Sequence, residues 1–207
     1  MRKRLLILWS GGIDSTFLVK EAIQQGHDVE TLYVMGIVSK CKEKREMKSI
    51  NALLKYFKKV YNAEIKHNVV TVDGFDTNPF RLGQSICWIH GILKLTHREK
   101  YEEVQIGYVM GDCAISYLKD IKDLYDAYRP HMIPSYVLPF LRFPLTKTEK
   151  IEIMNDSGSE LIKLCTFCEN NSTKDNCGKC PPCIRRKMLE LENKTFFSKN
   201  EQLKVTK

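Results

Sequence analysis

The chain has 207 residues, 43% hydrophobic and 28% charged, and no apolar run approaches the roughly 18 residues of a spanning helix. That length suits one well-buried core with an appendage, the composition is that of a globular protein, and no membrane-spanning helix is expected. The formal charge of +8 suits partners that carry phosphate, but the basic residues are scattered, with enrichment only at 40–48, 185–187 and the tail, as on a solvated surface.

The first predicted element is a core strand, Leu5-Leu6-Ile7-Leu8-Trp9. The basic residues ahead of it superficially suggest a signal peptide. The apolar run is too short for one, however, and leads into Gly-Gly-Ile-Asp where a small-residue cleavage site would stand, so a cytoplasmic location is expected. The strand stops at Ser10-Gly11-Gly12-Ile13-Asp14-Ser15-Thr16, and an amphipathic helix follows from Phe17 to Ile23. Glycine lets backbone approach an anion closely, hydroxyls surround it, and the positive end of the following helix favours phosphate. Neither the Walker spacing nor the dinucleotide fingerprint occurs in this loop, which reads as a phosphate cradle of another type.

Val29–Val34 is a second strand, and strand, helix, strand implies a right-handed crossover and a parallel sheet. Residues 43–62 form a long helix, its core face marked by Ile50, Leu53, Leu54, Phe57, Val60 and Tyr61. Ile65–Val72 is a third strand, residues 73–79 are loop by composition, and Gln84–Lys100 is helical. Val104–Tyr108 is a fourth strand, followed by Met110-Gly111-Asp112 at the sheet's carboxyl end, where open α/β sheets bind ligands. The alternation over residues 5–110 predicts a doubly wound parallel α/β fold. Beyond it come a helix over Asp120–Arg129, an extended stretch over Pro130–Pro144 and a helix over Thr146–Asn155 capped by Thr146 or Thr148. Two regions result: a nucleotide-binding α/β domain over residues 1–157 and a cysteine module with a helix from about Ile184 and a loose tail over 158–207.

Five of the eight cysteines, Cys165, Cys168, Cys177, Cys180 and Cys183, fall within nineteen residues. In a chain without a secretory signal such clustering points to metal and not to disulfides. Two-residue gaps let neighbouring thiolates reach one tetrahedral ion, and Gly178 permits the tight turn between Cys177 and Cys180. Spacing alone allows either Cys165/Cys168/Cys180/Cys183 or Cys168/Cys177/Cys180/Cys183. Arg185-Arg186-Lys187 would offset the negative charge of four thiolates. Cys41, Cys87 and Cys113 stand apart as ordinary small residues.

The loop resembles the Ser-Gly-Gly-x-Asp-Ser motif of the PP-loop ATP pyrophosphatases. Joined to Cys168, Cys177, Cys180 and Cys183, it resembles one branch of them, the 7-cyano-7-deazaguanine synthases (the QueC family). Between the two ends, Asn78-Pro79-Phe80-Arg81, Ile106–Asp112 and Phe143–Lys150 resemble further segments of that family in the right order. The resemblance implies an adenine nucleotide α-hydrolase-like fold and a ligase that cleaves ATP to AMP and pyrophosphate. It further implies that 7-carboxy-7-deazaguanine is adenylated, that ammonia displaces AMP to give the amide, and that a second activation gives the nitrile. Ser10, Gly11, Gly12, Ile13, Asp14, Ser15 and Thr16 would hold Mg-ATP, with Ser10, Asp14 and Lys147 as the catalytic set and Arg81 and Asp112 as substrate contacts. Cys168, Cys177, Cys180 and Cys183 would hold one structural zinc.

Departures from the family fall at Arg81-Leu82, where an Arg-Asn pair is expected, and at Tyr117-Leu118-Lys119-Asp120, in place of Tyr-Pro-Asp-Cys. Both lie where the base would be read, so a related acceptor, an amide product or a phage or defence-system relative are the variants to weigh. A PP-loop tRNA thiolase would use the basic charge but needs a persulfide or cluster cysteine, and a non-catalytic zinc-ribbon module would have lost Asp14 or Ser15. The expected partners are the deazaguanine, ATP, ammonia and a second copy in a homodimer, with no membrane and no stable nucleic-acid complex.

Overall fold

The computed structural model describes residues 2–72, 84–97, 99–109, 118–128, 138–146, 160–170, 177–184 and 186–188. Five strands, β1 (Arg4–Leu8), β2 (Asp28–Met35), β3 (Lys66–Thr71), β4 (Glu103–Gln105) and β6 (Phe140–Arg142), form a parallel sheet in the order β3-β2-β1-β4-β6. Two further short strands, β5 (Tyr108–Val109) and β7 (Leu145–Thr146), pair with each other just beyond the ends of β4 and β6. The helices are α1 (Ile13–Gln24), α2 (Lys40–Tyr61), α3 (Gln84–Thr96), α4 (Leu118–Asp126) and the short α5 (Glu160–Leu164).

Alternation along β1 divides the interior. Leu6 and Leu8 face a core shared with α3 and α4, through Ile89, Ile92, Ile121 and Tyr125. Leu5, Ile7 and Trp9 face the other way, onto Phe17, Val19, Ile50, Leu53 and Phe57 of α1 and α2. Both faces of the sheet are therefore covered by helices, the doubly wound arrangement predicted by the strand and helix alternation. The chain reverses its direction of winding between β1 and β4, and the crevice at the carboxyl ends of those strands is where this architecture places ligands.

Several boundaries differ from expectation for local reasons. Helix α1 starts at Ile13, inside the stretch read as loop, because Gly12 is extended (φ −72°, ψ 162°) and its carbonyl already accepts from the Thr16 N–H at 3.0 Å. Ile13 and Phe17 lie one turn apart and are both buried in the core. The strand expected over Val104–Tyr108 breaks into β4 and β5, with Gly107 at the break. Thr146 belongs to β7 and so is not a helix cap; Thr148 lies outside the described residues. Helix α5, at the start of the cysteine module, contributes Leu161 and Ile162 to the core under α1 and α2.

Candidate functional site

A cleft of about 380 Å³ opens at the carboxyl ends of β1, β2 and β4. Ser10, Gly12, Asp14 and Ser15 line one side of it, Lys42, Glu46 and Glu169 another, and Leu32, Val34, Ile37, Trp88 and Tyr108 supply an apolar wall. Gly12 is the N-cap of α1 and no side chain caps that helix, so its positive end opens onto the cleft. Gly11 has φ +72°, and a Cβ there would stand 3.0 Å from the Ser49 Oγ, so both conformation and space demand glycine. Gly107 has a similar part: a Cβ would meet Leu18 at 3.3 Å, and the bare backbone lets β4's end lie against the first turn of α1.

The predicted phosphate residues divide into two groups. Ser10 is exposed, and its hydroxyl accepts weakly from the Gly12 N–H at 3.4 Å; Ser15 donates to the Gly12 carbonyl at 3.4 Å. Together with half-buried Asp14 they face the cleft. Thr16 does not. It is fully buried, and its hydroxyl accepts the indole N–H of Trp9 at 2.9 Å, because a helix that begins at Ile13 turns its fourth residue toward the sheet. Ile13 likewise buries its side chain, leaving only backbone at the loop. Arg81, Asp112 and Lys147 lie outside the described residues, as does the Tyr117 end of the segment read for base recognition.

Three functional-looking residues of the cleft escaped the sequence reading. Glu46 is buried, and its carboxylate accepts from the Tyr33 hydroxyl at 2.6 Å, with Lys42 at 3.9 Å. Burial pushes the Glu46 carboxyl above its ordinary value, against the opposing hydrogen bond from Tyr33 and the charges of Lys42 and Arg45. Burial also raises the Tyr33 phenol, helped by the Glu46 charge. The legible signal was register: Glu46 precedes Ile50, Leu53 and Phe57 on one helix stripe, so an acid stands where the pattern calls for an apolar residue. Trp88 and Glu169 carried no comparable mark.

Beside the cleft, the sulfurs of Cys168, Cys177, Cys180 and Cys183 all lie within 4.8 Å of one another. The Cys177–Cys183 and Cys168–Cys180 sulfur pairs are each 3.9 Å apart, against the roughly 3.8 Å edge of a tetrahedron with zinc–sulfur bonds of about 2.3 Å. Backbone N–H groups of Lys179 and Cys180 donate to the Cys177 sulfur at 3.4 and 3.3 Å, on a turn that Gly178 makes at φ +71°. Those donors bring the Cys177 thiol down to about 6, so it is readily a thiolate, whereas burial pushes Cys183 up to about 12. The donor set fits a metal ion such as zinc. Cys165 is outside it, buried in the core with its thiol donating to the Leu161 carbonyl at 3.3 Å. The Arg186 guanidinium lies 4.2 Å above the Phe167 ring, packing the start of the following helical turn against the module.

Among the described residues no helix is long and apolar enough to cross a membrane. Compared with protein-family models and with curated proteins, the chain matches none.

Proposed function

We propose that the protein is an adenylating ligase of the PP-loop type, which cleaves ATP to AMP and pyrophosphate in order to activate the carboxylate of 7-carboxy-7-deazaguanine. The observation that carries the reading is the meeting of three features in one cleft: the open N-terminus of α1, the Ser10 and Ser15 hydroxyls around it, and an apolar wall that includes Trp88 and Tyr108, of a kind that suits a purine-like base. The adjacent four-cysteine cluster supports the 7-cyano-7-deazaguanine synthase branch and a structural zinc.

The chemistry follows from what the chain presents. A substrate carboxylate oxygen attacks the α-phosphorus, the bond from that phosphorus to the bridging oxygen breaks, and pyrophosphate leaves with the electron pair. Ser10, Ser15 and the first turn of α1 stabilise the charge that builds on the departing phosphates. Asp14, which lines the cleft beside the loop, would hold the Mg²⁺ that enters with ATP, and that ion would supply neutralisation of phosphate charge. Ammonia then adds to the activated carbonyl carbon and AMP departs, leaving the amide after loss of a proton. A second ATP activates the amide oxygen, and its elimination as AMP gives the nitrile.

Purified protein supplied with Mg-ATP and ammonium should release pyrophosphate only when the carboxylated deazaguanine is present, and mass spectrometry of the product distinguishes acid, amide and nitrile. Ser10→Ala and Asp14→Ala should each slow release by about 100-fold or more, the scale for removing one charge-stabilising group. Release that ignores the acceptor, or survives Asp14→Ala, overturns the reading. An iron–sulfur absorption band in place of zinc would favour sulfur transfer.

A further inference from the structure

We infer that Ser49 and Arg45 of α2 are positioning residues through which the filled cysteine cluster sets the shape of the phosphate loop, so that metal and nucleotide bind cooperatively. The inference rests on the adenylating reading for the identity of the nucleotide.

The path is short and continuous. The Gly11 carbonyl accepts from the Thr166 N–H at 2.9 Å and lies 3.1 Å from the Ser49 hydroxyl, which also reaches the Leu164 carbonyl at 2.6 Å. Gly12 and Thr166 pair as a parallel bridge. The strap over 164–170 is thus bonded to the loop at one end, and at the other it carries Cys168, one of the four clustered sulfurs. One turn before Ser49, the buried Arg45 holds that second end. Its guanidinium donates to the Cys168 carbonyl, to the Asn170 carbonyl at 3.1 Å and to the Thr166 hydroxyl at 3.3 Å.

There is little slack in this linkage. The Ser49 Oγ stands 3.0 Å from where a Gly11 Cβ would be, so α2 lies directly against the backbone of the loop. The Gly11–Gly12 peptide orients the first turn of α1, the part of the cleft that would meet phosphate. A metal that gathers the four sulfurs fixes Cys168, hence the strap, hence that peptide. Freed of metal, Cys168 is no longer tied to Cys177, Cys180 and Cys183, and that end of the strap is held by the Arg45 contacts alone. Linkage then requires the effect to run both ways: whatever factor metal contributes to nucleotide affinity, nucleotide contributes to metal affinity.

The test uses the full chain and measures Mg-ATP affinity by calorimetry alongside zinc content. Stripping zinc from wild type should weaken Mg-ATP binding by about ten-fold, within the usual range of coupling between sites. Ser49→Ala with its full zinc complement should weaken it by a comparable factor. Arg45→Met should bind weakly when loaded, and stripping it should add little, since the connection is already cut. Saturating Mg-ATP should raise the wild type's zinc affinity, read by competition with a chelator, by the same factor that zinc raises Mg-ATP affinity. Wild type whose Mg-ATP affinity ignores stripping, with Ser49→Ala unchanged, overturns the inference and leaves the adenylating reading standing. If chelation unfolds the chain, as far-ultraviolet circular dichroism would show, the zinc-loaded Ser49→Ala protein decides on its own. Loaded wild type that binds no Mg-ATP overturns both.

Discussion

At the scale of single residues, two neighbouring hydroxyls with the same sequence credentials have opposite tasks. Ser15 faces the cleft, while Thr16 is enclosed and serves the Trp9 indole. Thr16→Val keeps the shape and removes the acceptor, leaving a buried N–H unsatisfied. It should cost about 1–3 kcal/mol, measured by urea unfolding, and leave Mg-ATP affinity as it was. Ser15→Ala should do the reverse. The sequence motif could not separate them, because which hydroxyl turns inward depends on where α1 begins, and that is decided by Gly12's extended backbone and by the core that receives Ile13 and Phe17.

Among elements, the cleft's apolar wall stands on the contact between α3 and β2. Gly91 makes that contact: a Cβ there would lie 2.7 Å from Cγ2 of Val34, a β-branched side chain that cannot turn away freely. Gly91→Ala must push α3 off the sheet, and Trp88, one turn earlier on the same helix, moves with it. Overpacking of this kind costs about 1–3 kcal/mol, and Mg-ATP affinity should fall together with stability. Adding Val34→Ala should restore much of both, and a double-mutant cycle in urea and in calorimetry measures the coupling. If Gly91→Ala lost stability without any change in affinity, α3 would not be part of the nucleotide wall. Elements of this kind were legible in advance. Apolar runs and helical stripes marked β1 to β4 and α1 to α3, and cysteine spacing marked a metal-competent cluster. The strap was not legible, since Arg45 and Ser49 meet residues more than a hundred positions away and look in sequence like two polar residues on a basic helix. Of the candidate site, the loop and the cysteines could be read locally; Glu46, Trp88 and Glu169 become neighbours only when the sheet has formed.

The whole molecule joins its strands' amino ends by charge, while an imidazole on β3 is held by a neutral hydroxyl, which separates its response to acid into two windows. His67 on β3 is bonded through Nδ1 to the Thr31 hydroxyl at 2.9 Å, and burial lowers its value from about 6.5 to about 4. The unfolded chain therefore takes up a proton that the folded chain refuses, and stability falls as pH drops from about 6.5 toward 4. Glu30, 5% exposed, joins Arg4, Lys66, Asn68 and Tyr101 across β1, β2 and β3. Burial pushes its carboxyl up, but hydrogen bonds from Arg4, Tyr101 and Lys66 outweigh that and hold it below the ordinary carboxylate range. Its contribution is complete above that range and is lost as pH falls through and below it. Glu46 shifts in the opposite sense, so the comparison must be between variants and not along one curve. In urea unfolding at pH 7, 5.5, 4 and 3, His67→Gln should lose less stability than wild type from pH 7 to 4. Glu30→Gln should already be weaker at pH 7, match wild type's loss over the upper interval, and converge on it below pH 4. Parallel curves for wild type and His67→Gln would mean that the half-buried imidazole is not the group that acid attacks first.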